Sequence, residues 1–189
     1  MNLTKKNALL ALVALTTALA TGCSAEPAGD DDLAEELGTT RQELSAAFTL
    51  RARHSGKCLG WVSVSGRGAH VPPYALQQTC DGSSSQRWRT EGALVKSAVD
   101  PAYCLDVVGA STASGAAVQV YPCHGEANQQ FEWRSATVNA SLEPTSHYLV
   151  ARHSGKCLDV EGASLESGAR VNQYSCHGGE NQRWVRTWQ

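Results

Sequence analysis

The sequence predicts an all-β domain in which one strand-rich unit occurs three times between about residue 46 and the C-terminus. The octapeptide Ala-Arg-His-Ser-Gly-Lys-Cys-Leu begins at residue 52 and again at residue 151. Similar motifs close each copy: Ser-Gln-Arg-Trp from Ser85, Asn-Gln-Gln-Phe from Asn128 and Asn-Gln-Arg-Trp from Asn181. A period of roughly 45 to 53 residues is typical of repeat architectures. The predicted copies span about residues 46–92, 93–138 and 145–189.

The first 22 residues are predicted to be a lipoprotein-type signal peptide and are set apart from the fold. After two lysines comes an Ala- and Leu-rich stretch, residues 8–20, which is shorter than the roughly 20 apolar residues that span a bilayer. It leads into Leu-Ala-Thr-Gly-Cys at residues 19–23, which resembles a bacterial lipobox. We therefore expect a lipidated Cys23 and, because Ser24 follows it, export to the outer membrane or cell surface. Ordinary secretion, with cleavage nearby, is the alternative.

Residues 23–45 are predicted to be an acidic, flexible linker. From residue 24 to residue 45 there are seven acidic side chains and one basic one, with few large apolar residues to offset the entropy cost of ordering. From residue 46 onward there are eleven acidic and thirteen basic residues, and the whole chain has a formal net charge of −2. This balance is typical of an ordinary solvated surface, so we expect no nucleic-acid partner.

Seven cysteines are present, of which six lie in the repeated region. An even number of cysteines in an exported chain indicates disulfides. Because each copy contains one pair, the repeat predicts three bonds within copies, each closing a loop worth about 3 kcal/mol. These bonds are Cys58–Cys80, Cys104–Cys123 and Cys157–Cys176. A zinc site is the competing interpretation, but the sequence has no Cys-x-x-Cys pair, so we expect neither metal nor cofactor.

Each copy contains four short apolar runs broken by Gly, Ser, Asn or Asp, which predicts about twelve short strands. In the third copy the runs are residues 147–152, 157–160, 170–175 and 183–187. Because one copy is too small to bury its own apolar face, we expect the three to close on one another with pseudo-three-fold symmetry. Trp88, Phe131 and Trp184 occupy equivalent positions and are expected to fill a shared core.

A Gln-x-aromatic motif in every copy, with Cys-Leu-Asp and Asn-Gln in the second and third, resembles the ricin B-type lectin family. That family is also known as carbohydrate-binding module family 13. The resemblance covers roughly residues 46–189 and implies a β-trefoil that binds carbohydrate without catalysing a reaction. Galactose, N-acetylgalactosamine, xylan and mannose are ligands in the family, and galactose-like or xylan-type glycans are the ones we expect here.

The second copy offers the groups that a sugar requires. Asp106 lies two residues after Cys104, and Tyr121 lies two residues before Cys123. In extended chain, residues two apart point to the same side, so the disulfide would bring Asp106 and Tyr121 onto one face. A carboxylate accepts hydrogen bonds from neighbouring hydroxyls, and an aromatic ring packs against the C–H face of the sugar.

The resemblance implies that Asp and Asn hold the hydroxyls, that Tyr stacks on the sugar, and that Gln braces the site from behind. A His just past the second cysteine can reach the same rim. The candidate binding residues are Asp106, Tyr121, His124, Asn128 and Gln129 in the second copy, and Asp159, Tyr174, His177, Asn181 and Gln182 in the third. In the alternative interpretation, the aspartates bind local backbone N–H groups, the tyrosines pack, the histidines are loop residues and the glutamines are structural.

The first copy departs from this pattern. Gly60 stands where the other copies have Asp, Gln78 where they have Tyr, and Ser85 where they have Asn. The first copy has therefore lost the carboxylate, the stacking ring and the amide. We predict that it is structural only, which leaves two sugar sites in the chain.

Two other classes of function fit the sequence less well. A hydrolase needs paired carboxylates or an activated nucleophile, whereas Asp106 and Asp159 fall in different copies and should lie far apart. Neither Gly-x-Ser-x-Gly nor His-Glu-x-x-His occurs, so we do not expect an enzyme. A β-trefoil that binds proteins or inhibits proteases would not need the repeated Asp, Tyr and Asn. The expected partners are carbohydrate and, through the lipid anchor, the membrane.

Overall fold

The computed structural model describes residues 46–62, 73–136 and 145–189. In these ranges the chain forms twelve β-strands joined by turns and five short 3₁₀ segments, which confirms the all-β prediction. Within the same ranges no helix is long and apolar enough to cross a membrane. The predicted signal peptide, the acidic linker and Cys23 lie outside the described residues, as do residues 137–144 between the second and third copies.

The twelve strands fall into three sets of four. The first set is β1 (Phe48–Ala52), β2 (Cys58–Trp61), β3 (Ala75–Gln78) and β4 (Trp88–Glu91). The second set is β5 (Leu94–Ser97), β6 (Tyr103–Val107), β7 (Ala116–Pro122) and β8 (Phe131–Ser135). The third set is β9 (Ser146–Ala151), β10 (Cys157–Val160), β11 (Val171–Tyr174) and β12 (Trp184–Trp188).

The first and last strands of each copy form a closed antiparallel barrel. β1 pairs with β4, β4 with β5, β8 with β9, and β9 with β12. A bridge between Leu94 and Gln130 connects β5 with the start of β8. β12 then pairs along its whole length with β1, from Phe48 opposite Trp188 to Ala52 opposite Trp184. The sheet therefore closes on itself, which requires all three copies.

The two middle strands of each copy form a hairpin, and the three hairpins cover one end of the barrel. The hairpins are β2–β3, β6–β7 and β10–β11. They contact one another through the pairing of β7 with β11 and through bridges from Tyr74 to Gln119 and from Leu76 to Arg170. Barrel and cap together form the β-trefoil that the resemblance implied.

The core lies on the pseudo-three-fold axis and draws on all three copies. Trp88, Phe131 and Trp184 are at most 1 % exposed, so the prediction that they fill a shared core is confirmed. Each indole N–H also needs an acceptor once it is buried. Trp88 Nε1 donates to the backbone oxygen of Leu59 at 3.0 Å, and Trp184 Nε1 donates to that of Leu158 at 3.1 Å.

The predicted disulfides are confirmed. Cys58–Cys80, Cys104–Cys123 and Cys157–Cys176 each join the first strand of a hairpin to the residues that follow its second strand. All six cysteines of the described residues are therefore bonded in pairs. The bonds fix the hairpins that carry the candidate site residues.

Candidate functional site

The hairpin β6–β7 brings the predicted second-copy residues onto one face. Asp106 lies directly opposite Gln119, and Cys104 lies opposite Tyr121. Residues that face each other across an antiparallel pair project to the same side of the sheet, as do residues two apart on one strand. Asp106 and Tyr121 are therefore diagonal neighbours on one surface, as the spacing indicated.

The carboxylate of Asp106 is buried and surrounded by side-chain donors. Its Oδ1 accepts from Gln119 Nε2 at 2.8 Å. Its Oδ2 accepts from Asn128 Nδ2 at 2.9 Å and Gln129 Nε2 at 3.0 Å, with His124 Nε2 at 3.2 Å. A buried charge is tolerated only when it is hydrogen-bonded in this way. These donors are side chains, so Asp106 is not a turn residue that binds local backbone N–H groups.

The third copy repeats the arrangement around Asp159, which is 3 % exposed. Its Oδ2 accepts from Asn181 Nδ2 and Gln182 Nε2, each at 2.9 Å, and His177 Nε2 lies 3.4 Å away. Burial raises the pKa of Asp159 above its ordinary value of 3.8, while Gln182, His177 and Asn181 act in the opposite direction. Because the pKa is raised in the folded state, stability falls as pH rises from the unfolded value through the folded one. The ionised carboxylate is thus kept at some cost to stability.

Both histidines are oriented by the backbone. His124 Nδ1 accepts from the N–H of Glu126 at 3.3 Å, and His177 Nδ1 accepts from the N–H of Gly179 at 3.2 Å. An imidazole whose Nδ1 accepts a hydrogen bond carries its proton on Nε2. In each site Nε2 therefore faces the aspartate as a donor, which is more than an unconstrained loop residue would do.

The two tyrosines present open rings beside the carboxylates. Tyr121 is 43 % exposed and Tyr174 is 45 % exposed. Each ring meets the neighbouring histidine edge to face, with centroids 6.2 Å apart for Tyr121 and His124 and 6.1 Å apart for Tyr174 and His177. A half-exposed ring that is held at its edge provides a flat apolar surface to a ligand.

The glutamines of the Gln-x-aromatic motif lie behind the sites. Gln129 and Gln182 are fully buried, and Gln129 also donates to the backbone oxygen of Pro122 and accepts from the N–H of His124. In the first copy Gln86 makes the same pair of contacts, with the oxygen of Thr79 and the N–H of Asp81. Because this pair of hydrogen bonds occurs in all three copies, the main role of the glutamine is to hold the loop.

The third copy has an open cleft of about 410 Å³ in front of its carboxylate. Its lining comprises Asp159, Glu161, Gly162, Ala163, Asn172, Tyr174, His177 and Asn181, together with Gly115 from the second copy. Asn172 and its counterpart Gln119 were not among the predicted site residues. The signal was present in the sequence, because each lies two positions before the site tyrosine and so on the same face.

The turn that borders the cleft of the third copy has an unusual backbone, and so has the equivalent turn of the second copy. Ala163 has φ of 50° and the preceding Gly162 has 61°, while Ala110 and Gly109 of the second copy have 49° and 63°. A non-glycine residue in the left-handed region costs about 1–3 kcal/mol and persists only where its surroundings hold it. The residues that hold these turns therefore matter to the sites.

The turn of the third copy is held by the first copy. Gln77, which is fully buried, donates through Nε2 to the backbone oxygens of Ser164 at 2.6 Å and Glu166 at 2.8 Å. His54 Nε2 lies 2.9 Å from the same Ser164 oxygen, and Ser55 Oγ donates to Gln77 Oε1 at 2.8 Å. We call Gln77, His54 and Ser55 the first latch.

A second latch repeats this one between the third and second copies. Gln173 donates to the backbone oxygens of Ser111 at 2.6 Å and Ala113 at 3.0 Å. His153 Nε2 lies 2.9 Å from the Ser111 oxygen, and Ser154 donates to Gln173. At the corresponding position the second copy has Val120, opposite Leu105 as Gln77 is opposite Leu59.

In the first copy the space of the carboxylate is taken by another side chain. A Cβ on Gly60 would collide with Oε1 of Gln78 and approach Cγ of Gln86 to 3.1 Å. The Gln78 Oε1 is itself buried without a hydrogen-bond partner among the described residues. The glycine thus accommodates the glutamine, which agrees with a structural role for this copy.

Comparison with protein families gives two matches. The model described as ricin-type beta-trefoil lectin domain matches residues 46–142, and the model described as ricin-type beta-trefoil lectin domain-like matches residues 127–188. Together the matched segments contain all twelve strands.

Solved structures with the same fold include designed and natural proteins. The designed three-fold symmetric protein ThreeFoil is 38 % identical over 75 % of this chain and 97 % of its own, with a TM-score of 0.61. An exo-β-1,3-galactanase from Clostridium thermocellum is 28 % identical over 76 % of this chain and 30 % of its own, with a TM-score of 0.63. A Macrolepiota procera ricin B-like lectin in complex with lactose is 16 % identical over 75 % of this chain and 94 % of its own, with a TM-score of 0.56. This last likeness concerns the fold alone.

Proposed function

Because the chain belongs to the ricin-type β-trefoil lectin family, we propose that it is a non-catalytic lectin with two sugar sites, one in the second copy and one in the third. The expected ligands are galactose-like or xylan-type glycans. The first copy serves as scaffold. This assignment goes beyond the general carbohydrate-binding character of the family, and it depends on the residues of each copy.

One observation carries the proposal. A buried carboxylate, an oriented imidazole and a half-exposed tyrosine recur together in two copies, around Asp106 and Asp159. A folded protein gains no stability from a carboxylate whose pKa is raised by burial, as that of Asp159 is. The presence of this carboxylate beside an exposed tyrosine ring and a cleft therefore favours a binding role.

The arrangement suits a pyranose. The C–H face of the sugar packs on Tyr174, and neighbouring hydroxyls donate to the carboxylate of Asp159. In each site the asparagine uses Nδ2 to donate to the aspartate and to a backbone oxygen, Asn181 to that of Val160 at 3.1 Å. The amide oxygen of the asparagine then remains as a further acceptor for the ligand.

Two sites in one rigid domain favour polymeric or clustered glycans. A shallow single site binds weakly, but a second site on the same body engages its ligand at a high effective concentration. The exo-β-1,3-galactanase found among the structural neighbours is consistent with galactose-like ligands. The xylan alternative rests on the family resemblance.

A glycan array probed with the purified chain tests the proposal, together with the double variant Asp106→Ala/Asp159→Ala. We expect selective glycan binding that free sugar competes, and its loss in the double variant. Because these aspartates are buried, Tyr121→Ala/Tyr174→Ala serves as a second variant that changes exposed rings only. Retention of glycan binding in both variants, or a partner captured from solution regardless of added sugar, would overturn the proposal and favour a protein-interaction module.

We further propose that a lipid on Cys23 displays the lectin at the outer membrane or cell surface. Support comes from the lipobox-like residues 19–23. Metabolic labelling with a fatty-acid analogue should mark the wild-type chain and not Cys23→Ser. An unlabelled wild-type chain in the culture medium would indicate simple secretion.

A further inference from the structure

The two candidate sites differ at the position that faces the aspartate across the hairpin. In the second copy this residue is Gln119, and in the third it is Asn172. Gln119 reaches the carboxylate and donates to Oδ1 of Asp106 at 2.8 Å. Asn128, Gln129 and His124 all reach Oδ2, so Asp106 has four protein partners, of which one is on Oδ1.

Asn172 is one methylene shorter and makes no such contact. The donors around Asp159 are Asn181, Gln182 and, at a longer distance, His177, and all three reach Oδ2, so Oδ1 accepts from no described residue. Asn172 is 5 % exposed, and its own Oδ1 is buried without a hydrogen-bond partner in the described part of the chain. Asp159 and Asn172 both line the cleft of the third copy.

The two acceptors without described donors, on residues that face each other across the hairpin, define what the ligand must supply. A buried acceptor that lacks a partner, such as Oδ1 of Asn172, is unfavourable, and a ligand donor that reaches it regains the bond. Hydroxyls are the donors that sugars offer in neighbouring pairs. In the second copy Gln119 already occupies one of the acceptor positions of Oδ1 of Asp106.

Resting on the proposed lectin function, we propose that Asn172 makes the third copy the principal sugar site and that Gln119 weakens the second. The third site recognises one more ligand hydroxyl than the second, through Oδ1 of Asp159 and Oδ1 of Asn172. One additional net hydrogen bond corresponds to about three- to ten-fold in affinity. The residue opposite the aspartate is thus a specificity determinant.

The raised pKa of Asp159 agrees with this difference in hydrogen bonding. Burial is its largest cause, and the donors Gln182, His177 and Asn181 do not fully compensate it. A further donor from a ligand would favour the ionised form, so binding should lower this pKa.

Reciprocal exchange of the two residues tests the inference. The probes are lactose and xylotriose, titrated into the full isotope-labelled chain while the amide signals of Tyr121 and Tyr174 report each site separately by NMR. In the wild type we expect the third site to bind about three- to ten-fold more tightly than the second. Asn172→Gln should reduce that affinity to the level of the second site, and Gln119→Asn should raise the second toward the third.

The exchange includes its own control for folding, because each variant carries the residue that the equivalent backbone position already holds in the other copy. Thermal unfolding of both variants should stay close to that of the wild type. Equal affinities at the two sites, or exchanges that change neither, would overturn the inference while leaving the lectin function intact. Absence of binding at both sites, on the array and with both probes, would overturn the lectin function itself.

Discussion

The first and third copies have the same scaffold and differ at the site. Both have a disulfide across the hairpin, a buried glutamine that holds the loop after the hairpin, and a buried tryptophan hydrogen-bonded to a leucine carbonyl. Where the third copy has Asp159, however, the first has Gly60, and the side chain of Gln78 occupies the adjacent space. The residues that build the trefoil are therefore separable from those of the candidate sites, and a copy without a candidate site still contributes to the fold.

The same comparison shows that the first copy still serves a site. Through Gln77 and His54 it holds the Ser164 carbonyl, next to the strained turn that borders the cleft of the third copy. The turn beside the candidate site of the third copy is thus held by the neighbouring copy. Three experiments test how far scaffold and site are separable.

The largest effect is expected from a substitution in the core of the first copy, which has no candidate site. Trp88→Ala should destabilise the fold by about 3–5 kcal/mol, because a fully buried indole is lost and the backbone oxygen of Leu59 loses its donor. Denaturant unfolding measures this change. If the core is shared, sugar binding in the second and third copies should disappear over the same denaturant range as the tertiary structure.

Trp184→Ala is the matched control, since it removes the equivalent ring from a copy that has a site. The two variants should lose similar stability. If Trp88→Ala unfolded the first copy alone and left the other two binding sugar with unchanged stability, the copies would be independent units and the common core would be disproved.

The next effect is a gain of binding in the first copy. Gly60→Asp, Gln78→Tyr, Asp81→His and Ser85→Asn together should create a third sugar site, because Gln86 already braces the loop as its counterparts do. Calorimetric titration should then give three sites in place of two. The gain should be clearest when the two natural sites are removed by Asp106→Ala/Asp159→Ala.

Gly60→Asp alone provides the control for the rebuilt site. It should add no binding and should reduce stability, because the Gln78 side chain must move and the new carboxylate is buried without the asparagine and histidine donors of the other copies. Sugar binding by this single variant would show that a carboxylate suffices without ring and amide. A rebuilt copy that folds but does not bind would show that the site needs more than these side chains.

The smallest effect is expected from a substitution in the first latch. Gln77→Val, which copies the residue of the second copy, should cost about 1–3 kcal/mol of stability, because Ser164 and Glu166 lose a buried donor. Affinity at the third site should fall on the order of a few-fold, since the turn beside it is less firmly positioned. Site-resolved NMR titration with lactose measures both sites at once.

Affinity at the second site is the internal reference, because its turn is held by Gln173 of the third copy. An equal loss at both sites would point to general destabilisation. An unchanged third site would show that the latch contributes to stability without positioning the cleft.

Much of the fold could be predicted from the sequence, because the sequence signals are local and occur in every copy. The cysteine pairs, the short strands and the core positions of Trp88, Phe131 and Trp184 could be predicted, since each recurs in register and a period of two assigns the faces. The same period put Asp106 and Tyr121 on one surface. The sugar roles of the ten candidate residues stay predictions.

Tertiary structure decided what depends on contacts between strands and between copies. Only the register of the hairpins shows that Gln119 caps Asp106 while Asn172 leaves Asp159 open, because a single methylene determines whether an amide reaches the carboxylate. Only the packing of the copies shows that Gln77 holds a carbonyl 87 residues away. Local pattern fixes which residue types share a face, but hydrogen bonding depends on distances of a few tenths of an ångström, which the assembled fold sets.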